Sequence, residues 1–513
     1  MTDVQRTKAT NEYMNRCLTA AIVVTLTQLL PTATSAAQPQ SGGAENASPA
    51  RTSPNIVVIL ADDMNWHHPG FNGGPVSTPN LDRLALEGTR LTQFYVHSVC
   101  SPTRAAFLTG RYPFRNGMEE RSHGNDVAGM LTDERTLAEA FKEAGYVTAI
   151  IGKWHLGNWY QHHLPMQRGF DYQYGLYGAL ISYYDKVRDH YYDWHRNEQT
   201  IREDGYSTDL IASECGRVIA AHDARQPFFL YVPINAVHGP NEAPPELTKK
   251  YQAMVEKQPG RLSPSKKSFL ALKYAMLESM DVAIGNILND LEARGVLDDT
   301  LIVFFNDNGG RIENPPYRGG KGDTFEGGVR VPCIFRWPGK VPANRSVDGM
   351  MHVVDLFPTL LSQGNGSLKQ DLPLDGMDMW GVISGDNESP RTEVVHSLPG
   401  EHSDTGEMSI RQGRFKLVGK ALFDIEGDSA ETDDIAAEYP LIYQSLRERL
   451  NRLESERRTP EVHTNITSTI ETPLLVFGKE ENANPPSWLV PYLKALPPSA
   501  KELLRAKRRS QGK

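Results

Sequence analysis

The sequence predicts an α/β protein: a large domain on a mixed, mainly parallel sheet flanked by helices, then a small C-terminal α+β domain with an antiparallel sheet. Three observations predict it. From Pro54 onward, short apolar runs alternate with helix-patterned segments, as a parallel sheet with crossover helices requires. Past about Pro390 this gives way to hairpin-like strands and one helix. At 513 residues the chain also exceeds what one simple core accommodates.

Taken in order, residues 1–37 contain an apolar stretch, 17–30, with Arg16 before it and Ala33-Thr34-Ser35-Ala36-Ala37 after it, which reads as a secretory signal. Met14-Asn15-Arg16 makes a conventional start to such a signal, whereas Asp3 and Glu12 do not suit one. Translation is therefore expected to begin at Met14, and secretion of only the longer form would refute this. About 14 apolar residues fall short of the ~20 a membrane span needs, so a secreted or periplasmic protein without a stable membrane anchor is expected. Residues 38–53, rich in Ala, Gly, Ser and Pro, form a linker. The large domain is assigned to 54–390, with strands at 56–60, 147–151, 228–232 and 301–305 and helices at 81–87, 137–144 and 274–293. The small domain, 391–475, carries hairpin strands over 409–418 and 421–425 and a helix over 439–454. The tail, 476–513, has Pro pairs and a basic end and reads as a surface wrap or a frayed helix.

Net charge is −9, with 23% charged and 39% hydrophobic residues, which fits a soluble globular protein and argues against a nucleic-acid partner. An anionic substrate must then be attracted by local positive groups. Beyond the signal only Cys100, Cys215 and Cys333 remain. The last two either pair or are unrelated buried thiols, and the chain is no disulfide scaffold.

Each expected strand is followed directly by residues able to do chemistry, and ligands of open α/β sheets bind beyond the carboxyl ends of the strands. Asp62 and Asp63 follow the first, Lys153 and His155 the second, His238 the third, and Asp307 and Asn308 the fourth. Lys321 follows in the loop Arg318-Gly319-Gly320-Lys321-Gly322. Asp62, Asp63, Asp307 and Asn308 offer only oxygen, which selects Ca²⁺ or Mg²⁺ over zinc. In Cys100-Ser101-Pro102-Thr103-Arg104, Ser101 is expected to cap a helix, with Pro102 at its first position and Gly110 as its stop. Cys100 then sits at a helix N-terminus, where free N–H groups favour an anion, and Arg104 adds a planar donor fork one turn in. Such a place suits a sulfate or phosphate ester.

The whole run Cys100-Ser101-Pro102-Thr103-Arg104-Ala105-Ala106-Phe107-Leu108-Thr109-Gly110-Arg111 resembles the sulfatase signature. Ala61-Asp62-Asp63-Met64, Gly152-Lys153-Trp154-His155-Leu156-Gly157, Asn306-Asp307-Asn308-Gly309-Gly310 and Leu422-Phe423-Asp424-Ile425 extend the likeness in consistent order. The resemblance implies an alkaline phosphatase-like fold. It implies that a formylglycine-generating maturation enzyme oxidises Cys100 to Cα-formylglycine, and that Asp62, Asp63, Asp307 and Asn308 hold a divalent cation, Ca²⁺ before Mg²⁺, together with the modified Cys100. By the same resemblance, a hydroxyl of the hydrated aldehyde, activated by the metal and Asp307, attacks sulfur. Lys321 and His238 bind sulfate and protonate the leaving alcohol. His155 then takes the proton of the second hydroxyl so that sulfate departs, while Arg104 and Lys153 stabilise the nucleophile.

The stretch 152–171 is most similar to the arylsulfatase B-like branch, whose known member removes 4-sulfate from N-acetylgalactosamine, so the expected substrate is a sulfated glycan or, alternatively, a small aryl sulfate. A phosphate or phosphonate monoester hydrolase and a non-catalytic glycan-binding relative remain as alternatives. The aromatic run from Tyr172 to Trp194 either stacks on sugar rings or packs an insertion onto the core. Trp66-His67-His68-Pro69 departs from the family's Trp-x-Asp, which alters the pocket wall.

Overall fold

The protein is described by a computed structural model over residues 53–119, 129–158, 161–188, 191–223, 225–258, 262–397 and 408–458. The expected signal, nearly all of the linker and the tail lie outside these residues.

The main sheet contains β1 (Asn55–Ala61), β2 (Thr89–Leu91), β3 (Val147–Ile151), β4 (Tyr172–Gly175), β5 (His195–Arg196), β6 (Gln199–Thr200), β7 (Phe228–Pro233), β8 (Thr300–Asn306), β9 (Cys333–Arg336) and β10 (Arg345–Val347). Their spatial order is β10-β2-β9-β8-β1-β7-β3-β4-β5-β6. The five strands β8, β1, β7, β3 and β4 run parallel, and antiparallel pairs flank them at β8–β9 and β4–β5. The four apolar runs of the sequence are thus the sheet's centre, and β1 is wholly buried because both its faces are covered.

The principal helices are α1 (Pro79–Glu87), α2 (Cys100–Thr109), α3 (Leu137–Glu143), α4 (Ser207–Ala221), α5 (Pro245–Glu256), α6 (Pro264–Ala293), α7 (Leu356–Gln363) and α8 (Pro440–Glu454). Ile56, Val58 and Leu60 share one apolar cluster with residues of α2, α3 and α7. Val57, Ile59 and Ala61 share the other with α1, α4, α5 and α6. Helix α6 begins ten residues earlier than its apolar pattern predicts. Ser263 caps it by accepting from Lys266 N–H at 3.3 Å, and Pro264 opens it, so its polar first turns hide it from a periodicity reading.

The small sheet, β11 (Glu393–His396), β12 (Ser409–Gln412), β13 (Phe415–Val418) and β14 (Ala421–Asp424), is an antiparallel meander. Val395, Ile410, Leu417 and Leu422, with Leu446, Leu450 and Leu453 of α8, belong to the same cluster as Ile56 and Val58. One continuous core therefore holds both sheets.

Cys215 and Cys333 are free and buried. They sit in clusters on opposite faces of the main sheet, which rules out their pairing. In the aromatic run, Tyr174, Tyr177, Tyr183, Tyr192 and Trp194 are buried, and Tyr184 is well exposed. Tyr174 meets Trp194 edge-on at 5.0 Å, and Tyr177 stacks on His195 at 4.2 Å. These rings pack the end of the sheet. No helix among the described residues is long and apolar enough to cross a membrane.

Candidate active site

Register builds the site. Strands β1 and β8 pair in parallel with Ala61 opposite Asn306, so Asp62 and Asp307 leave the sheet side by side. Asp63 N–H donates to Asp307 Oδ1 at 3.2 Å, and Asp307 N–H to Ala61 O at 3.1 Å. The neighbouring strands β7 and β3 deliver His238, Lys153 and His155 beyond the same edge, with Lys153 N–H bonded to Pro233 O at 2.8 Å.

Helix α2 carries the nucleophile candidate. Cys100 is its first residue, and the cap is Val99 in extended conformation, without a side-chain cap bond. This corrects the expectation that Ser101 caps it: the chain turns helical one residue earlier, and Ser101 lies inside the first turn. Gly110 ends the helix as expected, in the left-handed region at φ 66°. Thr103 ties the helix down, its hydroxyl donating to Asp307 O at 2.7 Å and accepting from His97 N–H at 2.9 Å.

Around Cys100 the charged groups interlock. Arg104, fully buried, places Nη2 at 2.9 Å from Asp307 Oδ2 and 3.3 Å from Asp62 Oδ2, while Nη1 donates to Lys153 O at 3.0 Å. Lys153 Nζ reaches Asp62 Oδ2 at 2.5 Å. Lys321 Nζ donates to Asp63 Oδ1, and His238 Nε2 lies 3.7 Å from Asp63 Oδ2. His155 Nδ1 is 3.3 Å from Cys100 Sγ. Asp63 and His155 both have left-handed backbones, at φ 62° and 63°, the kind of local strain that concentrates at functional sites. The structure thus brings together Asp62, Asp63, Cys100, Arg104, Lys153, His155, His238, Asp307, Asn308 and Lys321.

Electrostatics divides the three aspartates. Burial raises Asp62 and Asp63, but Lys153 and Arg104 hold the first below the usual carboxylate range, and Lys321 holds the second well below it. Asp307 is pushed up to about 7 by burial and by the charge of Asp62, against the pull of Arg104. Burial likewise takes His238 down to about 4 despite Asp63, so its ring is neutral near pH 7, with Nδ1 2.6 Å from Gly239 O.

The residues fit a hard cation. Asp62 Oδ1 and Asp63 Oδ2 are buried without hydrogen-bond partners, and the donor set is almost all oxygen. Asn308 points Nδ2 at Asp63 Oδ1 (3.0 Å) and Asp307 Oδ1 (2.7 Å), while its oxygen accepts from Gly310 N–H at 3.1 Å. A half-turn of the amide exchanges the two ends.

Sequence reasoning missed Lys273, one turn after Phe269 on α6. It is buried, donates Nζ to Val237 O, and is lowered to about 8 by burial, with Asp63 opposing. The site opens into a cavity of about 670 Å³ lined by Val99, Phe269, Arg311, Glu313 and Lys321 among others. A larger groove, about 890 Å³, lies away from these groups, where Arg83 and Arg336 pair with Glu87.

The sulfatase family's sequence pattern matches residues 54–366. Mouse arylsulfatase J is 32% identical over 371 residues, 69% of this chain and 60% of that protein. Dog N-acetylgalactosamine-6-sulfatase is 35% identical over 370 residues, 66% of this chain and 67% of that protein. This chain therefore spans roughly two thirds or less of those relatives. A crystal structure of Ps i-CgsB in complex with k-i-k-neocarrahexaose superposes with a TM-score of 0.72 at 30% identity, covering 80% of this chain and 96% of that one. The family match extends over well over half of the sequence and includes every group assembled around Cys100; the chain belongs to the sulfatase family, with its alkaline phosphatase-like fold.

Proposed function

We propose that this protein removes sulfate from a sulfated carbohydrate, using an oxygen nucleophile made from Cys100 and a divalent cation, Ca²⁺ before Mg²⁺, in the cradle of Asp62, Asp63, Asp307 and Asn308. The observation that carries the proposal is the placement of Cys100 on the first turn of a buried helix, 3.3 Å from His155, beside three carboxylates and three cationic side chains. A glycan substrate is supported by the names of the relatives, one an N-acetylgalactosamine sulfatase and one solved with a neocarrahexaose. N-acetylgalactosamine sulfates and sulfated galactans are accordingly the first substrates to try.

The Cys100 sulfur stands where an oxygen of the matured residue belongs. Addition of water to the formylglycine aldehyde would give two hydroxyls on one carbon, so that sulfate can leave without a second attack at sulfur, and a cation held by Asp62, Asp63, Asp307 and Asn308 would supply Lewis-acid stabilisation of the nucleophile. Arg104 and Lys153 keep Asp307 and Asp62 oriented, and Asp307, with a carboxylate oxygen within 4.8 Å of Cys100 Sγ, takes a proton from the attacking hydroxyl. Lys321 binds the sulfate oxygens. His238 is neutral in the free site, and the negative charge of a bound ester raises its proton affinity, which turns it into the donor to the leaving alcohol. His155, with Nδ1 3.3 Å from Cys100 Sγ, removes the remaining hydroxyl proton. Maturation by a formylglycine-generating enzyme and action in a secreted or periplasmic setting complete the proposal.

The test is sulfate release from N-acetylgalactosamine 4- and 6-sulfates, carrageenan oligosaccharides, an aryl sulfate and a phosphate monoester. Protein co-produced with a formylglycine-generating enzyme is compared with Cys100→Ala. Release from one glycan sulfate, absent in the variant, supports the proposal. No sulfate release from protein carrying the aldehyde by mass spectrometry, with turnover of the phosphate ester, replaces it with a phosphoesterase.

A further inference from the structure

We propose that His97, His352 and His396 form a zinc site, separate from the oxygen cradle, which fastens the segment leading into Cys100 to the small sheet. Their ligand nitrogens all lie within 4.8 Å of one another, and all three rings are fully buried. The rings meet edge-on or tilted, with centroids 5.0 Å apart for His97 and His352, 5.7 Å for His352 and His396, and 6.0 Å for His97 and His396.

Both ring nitrogens of His97 and Nε2 of His352 are buried without a hydrogen-bond partner, while one nitrogen of His396 bonds the Val96 backbone and leaves the other for a ligand. A neutral imidazole carries one N–H and one lone pair, and burying these unanswered is costly. One such ring is ordinary; three facing each other form a built set of lone pairs. Three imidazoles with a fourth open position is a recurrent zinc arrangement, and an all-nitrogen set does not suit the hard cation of the oxygen cradle. Zinc at about 2.0–2.1 Å from each nitrogen sets the nitrogens about 3.4 Å apart, so small side-chain rotations close the set.

Burial takes His97 down to about 3 and the other two well below the ordinary value, so each ring is neutral, the form that binds metal, and zinc entry expels no proton. At His352, Nδ1 accepts from Val354 N–H at a long 3.3 Å. Ligation through Nε2 moves the ring proton to Nδ1 and gives up that contact.

The three ligands come from distant parts of the chain. His97 precedes Cys100 by three residues, and its N–H and carbonyl both bond the Thr103 hydroxyl, at 2.9 and 3.1 Å. His352 pairs with Tyr95 in a two-residue parallel ladder. His396 ends β11. Zinc here would hold the start of α2 against both the main core and the small sheet.

The test uses the full chain, stripped by chelation, saturated with calcium and given one equivalent of zinc. Zinc-edge X-ray absorption should show imidazole nitrogens at about 2.0–2.1 Å, with one zinc retained per chain and a raised melting temperature. Retention should persist in Asp63→Asn and vanish in His396→Gln. No stoichiometric zinc, an all-oxygen shell, or full retention by His396→Gln overturns the proposal. Should His396→Gln fail to fold, His97→Gln takes its place, and the wild-type absorption spectrum decides by itself whether imidazole binds the metal.

Discussion

Arg104 Nη2 stands 2.9 Å from Asp307 Oδ2, and neither side chain touches solvent. The pair joins α2 to the end of β8, and its other nitrogen holds the Lys153 carbonyl at 3.0 Å. Removing one partner leaves an uncompensated buried charge. Arg104→Ala should therefore cost about 3–5 kcal/mol in urea unfolding. Arg104→Lys should fold better yet lose sulfate release by roughly 100-fold, since an ammonium cannot span both partners. Equal activity of Arg104→Lys and wild type would refute the role given to the planar fork.

Chelation should abolish sulfate release and added Ca²⁺ should restore it, because Asp62 Oδ1 and Asp63 Oδ2 are buried acceptors without hydrogen-bond donors. Asp63→Asn should bind Ca²⁺ at least 10-fold more weakly by calorimetry. Undiminished calcium binding by this variant would place the cation elsewhere.

Asp281 of α6 accepts from the N–H groups of Asn80 and Leu81 at 3.1 and 2.8 Å, and so holds the first turn of α1. Burial pushes its carboxyl from 3.8 up to about 6. The folded chain therefore binds a proton that the unfolded chain has released, and this carboxyl's contribution to stability falls as pH rises through that window. Relative to wild type, Asp281→Asn should gain stability between about pH 4 and pH 6, by roughly 1–3 kcal/mol. A difference in unfolding free energy that does not change with pH would contradict this.

Gly309 packs the loop of Asp307 and Asn308 against the loop that turns helical at Glu326–Val329, its N–H bonding Gly328 O at 3.0 Å, and a Cβ there would run into the Gly327 carbonyl oxygen. Gly309→Ala must separate the two loops, so it should lower the melting temperature by several degrees and the activity by at least 10-fold. Calcium affinity, measured in parallel, should fall with the activity.

Much of this arrangement can be read from residue order. The strand ends at Leu60 and Phe305 are legible because a wholly apolar run breaks into carboxylates, and a parallel sheet turns such breaks into neighbours. Lys273 is less so, since no motif surrounds it. Its one signal is being a lone charge on a stretch of α6 whose positions from Ala271 to Leu277 are otherwise mostly apolar and buried. His97, His352 and His396 have no spacing at all, because strand pairing between Tyr95 and His352 and the docking of β11 bring them together. Ser101 misleads for a local reason: it is a good capping residue by type, but Val99 already takes the extended conformation that starts the helix.

The pairing of Asn55 with Thr300 along β1 and β8 also sets a timetable for making the protein. At about 5–20 residues per second, translation needs on the order of ten seconds or more between the emergence of the two strands. Throughout that interval β1, apolar from Ile56 to Ala61, has an edge with nothing to bind. The chain must be kept from its neighbours during synthesis, and expression yield should depend more on chaperone supply and slow growth than on the stability of the finished fold.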